Sequence, residues 1–144
     1  MNQSQRKFFI KRIEALAAEK IRELENSRAK ECAALVSVRD RACAYMKKYP
    51  EKASKDLYAV AKKLLEDNKS HYPQLQLYGE DNTPLFFQKV REEFYQEHSA
   101  IYEIYEKKFD KVRAEKKKII DRAYFEELPA EFLRLLEKFE TFKV

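Results

Sequence analysis

The chain has 144 residues, enough for about one domain with a modest core, and a formal net charge of +5. Charged residues make up 38% and apolar residues 44%, with one Gly and four Pro, too few breakers for a fold rich in strands and turns. Aromatics reach 13% without any Trp, more than a disordered chain carries, which excludes that class.

The positive excess sits in the first third, where residues 1–49 hold 12 Lys/Arg against 6 Asp/Glu. A mild excess permits an anionic partner without demanding one. The two cysteines, Cys32 and Cys43, fall on one predicted helix, roughly 16 Å apart and beyond disulfide reach. The N-terminus passes straight into Gln3-Ser4-Gln5-Arg6-Lys7 without a leader pattern. No apolar run approaches the ~20 residues of a membrane span, so a cytoplasmic protein outside the membrane is expected.

The first predicted helix covers about 4–49, with Ser4 as its N-cap. Its apolar seam runs Ile10, Ile13, Ala17, Ile21, Leu24, Arg28, Cys32, Leu35, in steps of three and four, and continues less strictly through Ala42, Met46 and Tyr49. Asn26-Ser27-Arg28 is its weak point. Pro50 disfavours helical geometry at Tyr49 and starts a second helix, about 51–67, followed by a loop over 68–83 with the single glycine, Gly79.

A long helix over 84–127 follows, capped by Asn82 or Thr83 with Pro84 in its first turn. Its seam is Phe87, Val90, Phe94, His98, Ile101, Tyr105, Phe109, Val112, Lys116, Ile119 and Ala123. Pro129 opens a short, strongly apolar helix to about residue 142. The expected fold is all-α: an elongated helical bundle, one domain over 1–144, with two long antiparallel coiled-coil-like helices and two shorter helices at their ends. The polar seam residues Arg28, His98 and Lys116 should then form polar layers. The last helix should either dock on Phe8, Phe9 and Leu16 or offer its apolar face to a partner.

Most chemistry lacks its residues. Only His71 and His98 are available as imidazole bases, and His98 lies on the apolar seam. A di-iron bundle needs Glu-x-x-His, yet Tyr95 stands three residues before His98. Two isolated cysteines and two distant histidines have no zinc spacing. One glycine, flanked by Glu80 and Asp81, cannot cradle phosphate. No catalytic site, metal or cofactor is expected.

Two surfaces remain. The stretch 107–118, KKFDKVRAEKKK, carries seven Lys/Arg against two acids. Lys107, Lys111, Arg113, Lys117 and Lys118 are placed opposite Phe109 and Val112, a basic ridge suited to phosphates. Such a run is more often simply a solvated helix face. Arg6, Lys7, Lys11 and Arg12 form a second basic cluster around Phe8, Phe9 and Ile10. The candidate protein interface is Tyr95 and Tyr124, off the seam, with Phe132, Leu136 and Phe139 of the last helix.

These features predict a non-enzymatic interaction protein: an adaptor, regulator or inhibitor whose helical faces bind another protein, itself a homodimer. The size and style also suit an accessory protein of a phage or mobile element. The alternative is a DNA- or RNA-binding protein that uses the ridge and the basic N-terminus.

Overall fold

The computed structural model describes residues 2–49 and 85–144, with side chains from residue 88 onward in the second stretch. The expected helix over 51–67, the loop over 68–83 and the caps at Asn82, Thr83 and Pro84 lie outside the described residues. All regular structure among the described residues is α-helical: α1 (Gln3–Ala34), α2 (Val38–Lys48), α3 (Leu85–Phe125) and α4 (Pro129–Glu140).

The start of α1 is set two residues earlier than Ser4. Asn2 Oδ1 accepts from the Gln5 amide at 2.8 Å, and Gln5 Oε1 accepts from the Asn2 amide at 3.2 Å. This reciprocal pair satisfies two amides that a helix start otherwise leaves open. Ser4 is therefore a residue of the first turn, not the cap.

The first predicted helix is in fact two. It continues unbroken through Asn26-Ser27-Arg28 and stops at Ala34. Ser37 then takes an extended backbone (φ −63°, ψ 157°), and its hydroxyl accepts from the Asp40 amide at 3.1 Å. The side chain thus offers the backbone a fresh helix start in competition with continuation. Arg41 adds a hold by donating from Nε to the Val36 carbonyl at 2.7 Å. Ser37→Ala should destabilise α2 by about 1 kcal/mol, read as a lower thermal midpoint with α1 helicity unchanged. Lys48 ends α2, as the Tyr49-Pro50 pair anticipated.

The chain divides into two compact units: residues 1–33 with 101–144, and residues 34–100. In the first, α1 and α3 run antiparallel. Arg6 meets Glu126, Ile10 clusters with Ala123, and Arg28 meets Glu106, so numbers fall along α3 as they rise along α1. Ile13, Ala17, Val112, Ile119, Leu135 and Phe139 form its main core cluster. The α4 helix runs alongside α1 in the same direction: Phe9 packs on Phe132 at 5.1 Å, and Lys20 donates to the Phe142 carbonyl at 3.0 Å. That places a cation at the carbonyl end of α4, and Arg6, donating to the Glu126 carbonyl at 2.9 Å, does the same just past the end of α3.

Between α3 and α4 the carboxylate of Glu126 accepts from the amides of Glu127 and Leu128, both at 3.1 Å. Leu128 is extended, as the residue before a proline prefers, and Pro129 opens α4 without needing the amide it lacks. A sharp reversal here returns the apolar face of α4 onto the α1–α3 pair.

In the second unit Val38, Ala42 and Met46 of α2 and Val90 and Phe94 of α3 are buried. Arg41 lies over the Phe94 ring at 5.7 Å and is ion-paired with Glu97. Arg28 repeats this device in the first unit, over Tyr102 at 4.5 Å and Phe109 at 5.2 Å with Glu106 at 4.0 Å. The expected polar layer at Arg28 is thus a cation held on aromatic faces.

Tyr105, on the α3 seam, is buried. Burial first, then the charge of Glu31 and its hydrogen bonding to the phenol, then Cys32, raise its pKa above the ordinary 10.0. The folded protein therefore keeps this proton where the unfolded chain gives it up. The stability this contributes is complete below pH 10.0 and is lost as pH climbs through the raised value. Tyr105→Phe should flatten the alkaline limb of a denaturation-midpoint against pH curve.

Candidate partner-binding site

Of the residues expected to meet a partner, those on α4 are placed otherwise. Phe132 and Phe139 are fully buried within the first unit, and Leu136 packs half-buried against the same core. They are core and not an interface, because the turn at Leu128-Pro129 folds α4 back onto Phe9 and Leu16. Phe8, expected beside them, instead points outward and is 69% exposed.

The basic ridge also divides. Lys107, Lys111, Lys117 and Lys118 are exposed, and none is ion-paired within 4 Å among the described residues. Arg113 does not sit opposite Phe109: four residues on, it shares that side of the helix. Its guanidinium lies 5.7 Å from the Phe109 ring and 3.2 Å from the Asp110 carboxylate.

In the N-terminal cluster Arg12 is exposed, while Arg6 is largely committed. Besides the Glu126 carbonyl, Arg6 reaches the Glu127 carboxylate at 3.5 Å, and its buried Nε has no hydrogen-bond partner. Lys7 and Lys11 stay open and line a groove of about 430 Å³ beside α1. Ile10 and the ring of Tyr124 give the groove its apolar part, and Gln3, Arg6 and Glu14 complete the α1 side.

At the end of the unit where α1 starts and α3 hands over to α4, large apolar side chains remain in water. Phe125 is 85% exposed, Leu128 62% and Tyr124 56%. Neither Phe125 nor Leu128 is among the residues expected to meet a partner. A sequence signal existed, since Tyr124 and Phe125 follow the seam residue Ala123 and so fall off the inward stripe of the helix. What lies next to them depends on the register with α1. Tyr95, the other candidate off the seam, is also exposed, with its ring 6.0 Å from Phe94.

His98 is half-buried against the Phe94 ring at 5.8 Å, and His71 lies outside the described residues. Among the described residues no group of three or more His, Cys, Asp or Glu is arranged to hold a metal ion. No described helix is long and apolar enough to cross a membrane.

The α1–α3–α4 packing and the groove beside it define an all-α, helix-packing class of protein. Compared with protein-family models, curated proteins and solved structures, the chain matches no family model, no curated protein and no solved structure.

Proposed function

We propose that this is a non-enzymatic interaction protein, an adaptor, regulator or inhibitor that binds another protein through the first unit. The observation that carries the reading is the exposed Tyr124 ring in the groove beside Lys7 and Lys11, with Phe125 and Leu128 also exposed at the turn from α3 to α4. Large apolar groups gathered in water mark an interaction surface more often than scattered single ones do. Aromatic anchors with nearby Arg and Lys match the composition of protein interfaces.

A tagged pull-down from the native host, with and without nuclease, tests it. The expected result is a stoichiometric, nuclease-resistant protein complex that Phe125→Asp and Leu128→Asp weaken. Recovery of nucleic acid alone would overturn it. Light scattering of the purified chain reads the proposed homodimer.

The second reading, nucleic-acid binding, is supported by the exposed Lys107, Lys111 and Lys118, none of them ion-paired among the described residues. It requires affinity for DNA or RNA that falls steeply with salt and collapses in the Lys111→Glu/Lys117→Glu/Lys118→Glu variant.

A further inference from the structure

The α1–α3 pair of the first unit has two flanks, and among the described residues α4 covers one of them. At about 100° per residue, Phe9, Leu16 and Lys20 lie on one side of the α1 seam, where α4 packs. Gln3, Lys7, Lys11 and Glu14 lie on the other, spaced by four, four and three residues along a continuous stripe. On α3, Tyr124 turns toward this second flank and closes the groove. Lys117 and Arg113, seven and eleven residues before Tyr124, stand near whole turns of helix from it and extend the same side. This second flank, which no described helix covers, is the position that a fourth helix occupies in a four-helix bundle.

We infer that this groove receives an amphipathic helix with acidic margins from a partner protein. The inference rests on the protein-binding reading and specifies its partner. An apolar floor of Ile10 and Tyr124 between basic margins requires apolar side chains flanked by carboxylates. Lys7, Lys11 and Lys117 have no acid within 4 Å among the described residues, so they are available to it. The concave shape suits a helix better than a flat bilayer. The apolar floor, with Glu14 at its rim, suits a peptide better than a phosphodiester backbone.

The test uses the full chain and a labelled helical peptide of about five turns, with leucines on one face and glutamates on both margins, read by fluorescence anisotropy. A control peptide carries lysine in place of glutamate. The acidic peptide should bind and the control should not. Lys7→Glu/Lys11→Glu should raise Kd roughly tenfold or more, and Glu14→Lys should lower it. Circular dichroism of each variant separates loss of binding from loss of folding, which exposed positions on α1 should survive.

Failure of the acidic peptide to bind, or equal binding by the Lys7→Glu/Lys11→Glu variant, overturns the inference. So does loss of self-association in that variant without peptide binding, which assigns the groove to a second copy. Binding of a DNA oligonucleotide or of phosphatidylserine vesicles that the peptide cannot displace also overturns it. A protein retained in the pull-down alongside a silent groove leaves the interaction reading standing. Loss of both removes both.

Discussion

Phe139→Ala should destabilise the first unit by about 3–5 kcal/mol, most of the stability that a small domain possesses. The ring is fully buried among Ile13, Ala17, Val112, Ile119 and Leu135, residues from α1, α3 and α4 together. It also stacks on Phe142 at 6.5 Å and lies under the Lys20 ammonium at 5.7 Å. Truncation removes apolar area from all these neighbours and leaves a cavity. Three helices cannot collapse onto it without moving one another. Leu133→Ala on the outer side of α4, where the side chain is mostly exposed, should change stability by less than about 0.5 kcal/mol. Denaturant unfolding followed by far-ultraviolet circular dichroism measures both. Equal midpoints for the two variants would mean that α4 does not pack as described.

Arg28→Ala should cost about 2 kcal/mol, and most of that should come from the rings, not from the ion pair. The Arg28 side chain is 23% exposed, and its guanidinium lies 4.5 Å from the Tyr102 centroid and 5.2 Å from that of Phe109. Partly desolvated cation–aromatic contacts are worth up to about 2 kcal/mol, whereas an ion pair with an exposed carboxylate is worth about 0–1 kcal/mol. Glu106 is that exposed partner, at 4.0 Å. A double-mutant cycle should therefore give a larger coupling for Arg28 with Tyr102 than with Glu106. The Glu106 coupling should fade with added salt while the Tyr102 coupling persists. Arg28→Lys should recover only part, because an ammonium cannot lie flat across two rings. The reverse ranking of couplings would show that the polar layer is held by the salt bridge.

The helical periodicity carried much of the fold. Every described residue of the two long seams, from Ile10 to Leu35 and from Val90 to Ala123, is buried or half-buried. The spacing of apolar residues alone places them, because the repeat of a helix is fixed by backbone geometry. Pro129 marked the start of α4 for the same local reason. Less legible was the choice at Ser37, where a hydroxyl in a run of good helix residues became a cap, so one predicted helix is two. Asn26-Ser27 carries similar polar residues and stays helical. Propensity ranks the two sites alike, and the Ser37 cap with the Arg41 hold on Val36 separates them.

At the candidate site the limits were sharper. The basic residues Arg6, Lys7, Lys11 and Arg12 are equivalent as letters, but the structure gives Arg6 to the end of α3 and leaves Lys7 and Lys11 beside the groove. Phe132 and Phe139 looked as ready for a partner as for a core, and Phe125 drew no notice. Composition and spacing by themselves determined that the described residues are helical and which face of each long helix turns inward. Only the tertiary structure decided which apolar residues α4 covers and which stay in water around Tyr124. Local sequence sets the direction of a side chain about its own helix axis. What stands opposite it depends on the register and order of helices distant in the chain, and no local signal carries that.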